Sequence, residues 1–348
     1  MPDSVASSSL TSRRVYRLIS HEGSPQIRTS EDATPALGPH DVLVRIEAAS
    51  LNYRDLLILR GQLGAVRDGL IPLSDGAGHV AAVGEKVTRW KAGDRVATIF
   101  YPDWIDGPYR EAFGPTALGG GNADGALATQ IAVPETALVR IPETLSVEEA
   151  ATLPCAAVTA WHALVVRGQL AAGDTVLVQG TGGVALFALQ IANAFGARTI
   201  ILSSSDEKAK RARELGAAAT VNYRTTPEWD VEVRKLTDGL GASHILELGG
   251  PDTFDRSLRS LRAAGRIAQI GVFTGKGPQS NLFRLQLINA TIDGINVGSR
   301  EHFEALNAFI TAHGLKPVID STYGPDDVPA AYDRLASGRH FGKIVIKL

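Results

Sequence analysis

The stretch DTVLVQGTGGVALFALQIANAFGARTIILSSSDEK, from Asp174 to Lys208, constrains this chain more than any other. Thr175–Gln179 is a short, uncharged, β-rich run. Gly180, Gly182 and Ala185 then fit G-x-G-x-x-G/A, with Gly183 as an extra small residue inside. Val184–Phe195 has the apolar spacing of a helix and stops at Gly196, and Thr199–Leu202 reads as the next strand. Each small residue has a reason. Gly180 lets the chain turn sharply off the strand, Gly182 leaves the backbone open to a pyrophosphate, and Ala185 lets the helix pack close to the sheet. Thr181, Gly183 and Val184 complete the turn whose free N–H groups face an anion. A lone glycine pattern is often only a tight turn. Here it follows a strand, opens a helix and is followed by a strand, which is the context a dinucleotide site requires.

At 348 residues the chain exceeds one ordinary core, so two domains are expected. A net charge of −2 gives no basic field that would attract nucleic acid or an anionic membrane. The single cysteine, Cys155, excludes an internal disulfide and any multi-cysteine metal cluster. The Ser-rich start (MPDSVASSSLTSRR) lacks the apolar segment of a secretory signal, and the longest apolar stretch, Ala150–Val166, is interrupted by Pro154 and His162. A soluble, cytoplasmic protein with a flexible tail over residues 1–12 is expected.

In chain order, Val15–Ile19 and Asp41–Ala49 read as strands, and SLNYRDLLILRGQ turns into a short helix. PLSDGAGHVAAVG and TRWKAGDRVATI are glycine-punctuated strands of a compact β-rich domain. Residues 100–125 form a long loop whose aromatic residues suggest either a pocket wall or lid, or a plain surface loop. Ser146 and Glu149 are spaced as a capping box. From Ala156 to about Asn296, strands and helices alternate as in a doubly wound parallel sheet. Glu301–His313 is a helix, and Gly342–Leu348 is a strand that returns to the first domain.

The motifs LNYRD, PLSDGAGHVAAVG, WKAGDRV, TLPCAAVTAWHAL, VLVQGTGGV, LGAAATVNYR and GRHFGKIVI, in this order, resemble the medium-chain dehydrogenase/reductase superfamily from Val15 to the C-terminus. The resemblance implies an α/β protein with two parts: a GroES-like β-rich catalytic domain (13–155 and 297–348) and a doubly wound Rossmann domain that binds NADP (156–296). The active site would lie in the cleft between them. Zinc alcohol dehydrogenases of this superfamily hold their metal with Cys, His and Cys; here those positions are Asn52, Ser74 and Cys155. That is a poor donor set even with Asp75 added, so no metal is expected and Cys155 reads as a packing residue. The chain looks like the zinc-independent branch of quinone oxidoreductases and enoyl reductases.

NAD-specific sites carry an acid at the end of the second strand, about twenty residues past the glycine turn. By family spacing that position is Ser203, followed by Ser204. In similar quinone oxidoreductases the residues matching Lys208 and Tyr223 hold the 2′-phosphate, so the resemblance implies NADPH. It also places Thr159, Gly249, Gly271 and Val272 near the nicotinamide, and brings Arg339 and Lys343 to the cofactor phosphates, although either could be a surface charge. Without zinc, a developing oxyanion needs hydrogen-bond donors and a proton. Tyr53 is the candidate donor, or else a core tyrosine; Asn52 would orient the carbonyl, or else cap a turn. Arg54 and Asp55 read as a structural pair or a support for the loop, and His79 and His162 as packed or surface histidines rather than acids.

The expected function is zinc-independent, NADPH-dependent hydride transfer to a small molecule, an activated alkene or quinone. Carbonyl reduction is the alternative, and a cofactor-binding protein without turnover is the alternative of another class. The resemblance further implies a homodimer formed by edge pairing near Thr291–Val297.

Overall fold

The computed structural model describes residues 12–21, 24–64, 67–271 and 283–348. The chain forms two compact units, Met1–Cys155 with Gly298–Leu348, and Ala156–Val297. Of the tail expected over residues 1–12, residues 1–11 lie outside the described residues, and Ser12 opens the first strand.

The first unit begins with β1 (Ser12–His21), β2 (Ser24–Ala33) and β3 (Asp41–Leu51). It continues through α1 (Tyr53–Leu59), β4 (Asp75–Val83), β5 (Arg95–Thr98), β6 (Gln130–Pro134), β7 (Leu138–Arg140) and α2 (Val147–Ala150). β1 and β2 form an antiparallel hairpin whose second strand, SPQIRTSEDA, is too polar to read as a buried strand. The main sheet runs β3-β4-β5-β7, with β6 also paired to β3. Alternation along β3 buries Val42, Val44 and Ile46, which are at most 1% exposed. Ser146 caps α2, accepting from the Glu149 N–H while Glu149 returns a carboxylate to the Ser146 N–H at 2.8 Å.

The second unit alternates strictly. Its elements are α3 (Val158–Trp161), β8 (Thr175–Gln179), α4 (Gly183–Ala194), β9 (Arg198–Ser203), α5 (Asp206–Glu214) and β10 (Ala219–Asn222). Then come α6 (Trp229–Leu236), β11 (Ala242–Glu247), α7 (Pro251–Ser260), β12 (Leu261–Gln269), α8 (Phe283–Leu287) and β13 (Thr291–Gly294). All strand pairs are parallel, in the order β10-β9-β8-β11-β12-β13. Leu177, Ile200, Ile245 and Ile267, all fully buried, form the middle of its core with Trp229 and Val233 from α6.

The chain then returns to the first unit as α9 (Arg300–His313), β14 (Ile319–Tyr323), α10 (Val328–Ala336) and β15 (Lys343–Lys347). β15 pairs antiparallel with β3, and β14 pairs parallel with β15 to extend the same sheet.

One expectation is corrected here. The aromatic residues of the long loop do not lie on a plain surface loop. Trp104 and Phe113 are 2% and 5% exposed and stack with centroids 6.1 Å apart. The Trp104 indole N–H donates to Gly107 O at 2.9 Å, and the Arg300 N–H of α9 donates to Trp104 O, also at 2.9 Å. Apolar burial plus paired backbone groups fix this loop.

Candidate functional site

In the second unit, the chain leaves β8 towards β9 and β10 on one side, and leaves β11 towards β12 and β13 on the other. The strand order therefore reverses between β8 and β11, where a doubly wound sheet opens a crevice at its carboxyl ends. The glycine turn stands there. Gly180 adopts φ +82°, a conformation that strains any residue with a Cβ. Gly182 is extended and precedes α4, and among the described residues no side chain caps that helix. The N–H groups of its first turn, at Gly183, Val184 and Ala185, are thus left for a ligand. Thr181 beside them is buried, and Thr159 lies buried in α3.

β9 ends at Ser203 and β10 at Asn222. The Tyr223 N–H donates to Ser203 O at 3.0 Å, which brings Ser203, Ser204 and Tyr223 to one edge. Lys208 lies in the first turn of α5, and Tyr223 is 41% exposed. Ser203 departs from expectation. Its hydroxyl is 1% exposed, donates to Ser205 O at 3.0 Å and accepts from the Ser205 N–H at 3.2 Å. It braces the turn before α5 instead of reaching outwards, because a short hydroxyl is satisfied by its own turn. What remains of the Ser203 argument is that this strand end carries no acid. Asp206, the nearby carboxylate, accepts from Asn222 Nδ2 at 2.8 Å.

Gly249 and Gly271 follow β11 and β12. A Cβ on Gly249 would meet Thr253 Oγ1 at 2.4 Å, and one on Gly271 would meet Leu248 O at 1.8 Å. Val272 lies outside the described residues. The sequence reading missed what holds these turns. Glu247, fully buried at the end of β11, accepts from Gln179 Nε2 at 2.7 Å, Thr253 Oγ1 at 2.5 Å, the Gly249 N–H at 3.0 Å, the Gly250 N–H at 2.9 Å, and the Ser257 hydroxyl. Gln179 Oε1 accepts from the Gly249 N–H at 2.8 Å. The available signal was one polar residue closing each of two apolar strands, VLVQ and HILE.

In the first unit, the register of β15 against β3 pairs Ile344 with Leu51, which sets Lys343 beside Asn52. Lys343 was expected at the cofactor phosphates or on the surface, and it is not a surface charge. It is 3% exposed, and its ammonium donates to Leu51 O at 2.8 Å, Asn52 Oδ1 at 2.6 Å and Asp75 Oδ2 at 3.4 Å. Strand pairing turns this side chain inward, where three acceptors, one of them a buried carboxylate, offset its desolvation. Asp75 is also fully buried and accepts from the Ser74 hydroxyl at 2.7 Å, the Ser50 hydroxyl at 3.3 Å and the Cys155 N–H at 3.4 Å. Arg339 is exposed, its N–H donating to Ser337 Oγ at 3.2 Å.

Asn52 precedes α1 in extended conformation, and Tyr53, half-buried, is the first residue of that helix. The Asn52 N–H donates to Asp55 Oδ2 at 2.7 Å. Asp55 is 1% exposed, and burial pushes its carboxyl up to about 6 against the pull of Arg54. Arg54 donates to Leu118 O at 2.9 Å and lies over the Phe100 ring at 4.5 Å, so it packs against the long loop. Burial also pushes the Cys155 thiol up, with the Asp75 carboxylate acting in the same direction; a thin strip of surface exposure does not make it a reactive thiolate. Among the buried side-chain atoms that meet no hydrogen-bond partner among the described residues are Asn52 Nδ2, Asp55 Oδ1 and the Tyr332 hydroxyl on α10. His79 pairs with Glu47 at 2.8 Å. His162 bonds Val297 O at 2.7 Å, and burial lowers its pKa, so it stays neutral as a packed histidine.

Two compact units, one a mixed β-rich sheet closed by the C-terminal strand and one a doubly wound parallel sheet with a glycine turn at its switch point, define a class of nucleotide-dependent oxidoreductase. Residues 38–143 match the alcohol dehydrogenase GroES-like domain, and residues 183–312 match the family described as zinc-binding dehydrogenase. A zinc-type alcohol dehydrogenase-like protein of Schizosaccharomyces pombe is 42% identical over 94% of this chain and 96% of its own. An acryloyl-coenzyme A reductase of Metallosphaera sedula is 31% identical over 94% of this chain and 97% of its own. A crystal structure described as a putative alcohol dehydrogenase of Sinorhizobium meliloti superposes with a TM-score of 0.91 at 42% identity, over 97% of this chain and 99% of that one. The chain belongs to the medium-chain dehydrogenase/reductase superfamily of oxidoreductases.

The residues do not fit the zinc that this family's description carries. The ligand positions hold an amide, a hydroxyl and a buried thiol, and the Lys343 ammonium already bonds Asn52 and Asp75 among them. Among the described residues, no three His, Cys, Asp or Glu side chains gather into a set that could hold a metal ion. A divalent cation there would face a fixed positive charge. A nicotinamide dinucleotide does fit: Gly180, with nothing within 4 Å of where a Cβ would stand, and the uncapped α4 leave backbone open where such a ligand needs it.

Proposed function

We propose that this protein is a zinc-independent, NADPH-dependent reductase of activated alkenes, acting on enals, enones, enoyl thioesters or quinones. The observation that carries this reading is the donor set at Asn52, Ser74 and Cys155, which offers a carbonyl no Lewis acid. A simple carbonyl would gather a full negative charge on one oxygen. A conjugated acceptor spreads that charge and asks only for hydrogen-bond donors. When bound, the cofactor supplies the hydride. Gly180 and the first turn of α4 hold its pyrophosphate, and Thr159, Gly249 and Gly271 border its nicotinamide. Lys208 and Tyr223, with Ser204, hold its 2′-phosphate at a strand end that lacks an acid. Asn52 faces the substrate oxygen, and Tyr53 donates a proton. The similarity to an acryloyl-coenzyme A reductase supports the substrate class.

The test is NADPH consumption with an enone, an enal, a quinone and an enoyl thioester, each compared with a saturated aldehyde. Rates confined to the conjugated set support the reading. Turnover of saturated aldehydes alone would sink it.

A further inference from the structure

The Lys343 ammonium has three N–H donors, and Leu51 O, Asn52 Oδ1 and Asp75 Oδ2 account for all three. It therefore has no donor left for a substrate. What it does is settle the direction of the Asn52 side chain. A lysine can only donate, so the amide oxygen must face it, at 2.6 Å. The amide nitrogen is then turned away from the ammonium, and that nitrogen is buried without an acceptor among the described residues. A buried N–H pair with nothing to bond is a standing cost to the folded protein, which a ligand oxygen would relieve. The lysine is itself fixed. It is 3% exposed, its strand is locked to β3 by the Ile344–Leu51 pairing, and Asp75 beneath it is anchored by Ser50, Ser74 and the Cys155 N–H.

We infer that Lys343 is a positioning residue of the reductive site: it holds the Asn52 amide with its NH2 presented to the carbonyl oxygen of the conjugated substrate. This rests on the alkene-reductase reading above. In that reaction the substrate's β-carbon gains a hydride from the reduced nicotinamide, whose C–H bond breaks. The alkene electron pair moves to give an enolate, with its charge largely on oxygen. A proton from water or Tyr53 then joins the α-carbon, leaving a saturated carbonyl compound and oxidised nicotinamide. The Asn52 amide donates to the oxygen while it carries the charge. The ammonium bonded to Asn52 Oδ1 draws electrons from the amide and makes it a better donor. A cation thus serves the site that metal-dependent relatives organise with zinc, but it acts through an amide.

The test uses the NADPH-loaded enzyme and an enal in single-turnover hydride transfer. Asn52→Leu and Lys343→Met are each expected to slow transfer about a hundredfold, the usual effect of losing one oxyanion donor. The NADPH dissociation constant, read by fluorescence titration, stays unchanged. Combining the two substitutions slows transfer no further than Asn52→Leu alone, because the lysine acts through the amide. Lys343→Met strands a buried carboxylate, so Lys343→Met with Asp75→Asn removes both charges and is expected to show the same loss in a folded protein. Asn52→Gln is expected to recover part of the rate. Wild-type transfer in the charge-free pair, or losses that multiply in the combined variant, would overturn the inference. The positioning is also read without turnover. In ¹⁵N-labelled holoenzyme the Asn52 side-chain amide signal, assigned by its loss in Asn52→Leu, should move in the charge-free pair. An unmoved signal contradicts the inference, whereas a wild type that reduces no conjugated carbonyl contradicts only the proposed function.

Discussion

Asp55 shows how a single residue can carry a cost that the sequence does not display. In LNYRD it reads as half of a pair with Arg54, yet the two lie 4.0 Å apart and burial dominates, pushing its carboxyl up to about 6. The folded protein therefore holds this proton more tightly than the unfolded chain, whose aspartates titrate near ~3.9. Its contribution is present in full below about pH 4, falls as pH rises towards about 6, and is constant above. Asp55→Asn should lack this slope. Denaturant unfolding at pH 4 to 7 should show wild type losing roughly 2–3 kcal/mol relative to the variant over that window. Equal pH dependence in both would contradict it. At the other ligand end, Lys208→Ala should lower kcat/KM for NADPH by about ten- to a hundredfold and leave NADH unaffected, the worth of one charge-assisted bond to a phosphate. An equal loss with both cofactors would remove Lys208 from the 2′-phosphate. The limits of reading residues from sequence are plain at Lys343. GRHFGKIVI shows a lysine opening a strand, but only the pairing of β15 with β3 reveals that it points inward at Asn52.

At the scale of elements, the strand–turn–helix around Gly180 was legible because it is built from local rules: β-rich run, glycine at positive φ, helical spacing, Gly196 at φ +73°. The turn after β11 was not. Its backbone N–H groups are held by Glu247 and Gln179, which are 68 residues apart in sequence. Glu247→Gln places an NH2 among groups that already donate to that position, leaving buried donors facing each other. It should destabilise the protein by about 2–4 kcal/mol and weaken cofactor binding, read together by thermal shift with and without NADPH. An unshifted midpoint in the apo variant would show that the network is incidental. β14 and α10 escaped the sequence reading for a related reason. IDSTY is only partly buried and shows no apolar alternation, and α10 carries a proline, Pro329, in its first turn that reads as loop.

Across the whole molecule, the alternating strand–helix order from β8 to β13 dictated the parallel sheet, and the returning C-terminal strand completed the first unit. β13 is the edge of the six-stranded sheet, with Ile292 38% exposed on it. An open edge of this kind invites pairing with a second copy. The homodimer proposed from family resemblance predicts that Ile292→Lys elutes as a monomer under conditions where wild type is a dimer; a monomeric wild type would contradict it. Among the described residues, no helix is long and apolar enough to cross a membrane. What the sequence could not supply was long-range side-chain placement. The identities at positions 52, 74 and 155 argued against zinc, but the cation that stands among them came only with the fold. The central claim, reduction of a conjugated carbon without a metal, is tested most directly by following the label from C4-deuterated NADPH into the product of an α,β-unsaturated aldehyde. Deuterium at the β-carbon of a saturated aldehyde is the predicted result. Deuterium on the carbonyl carbon of an allylic alcohol would contradict it.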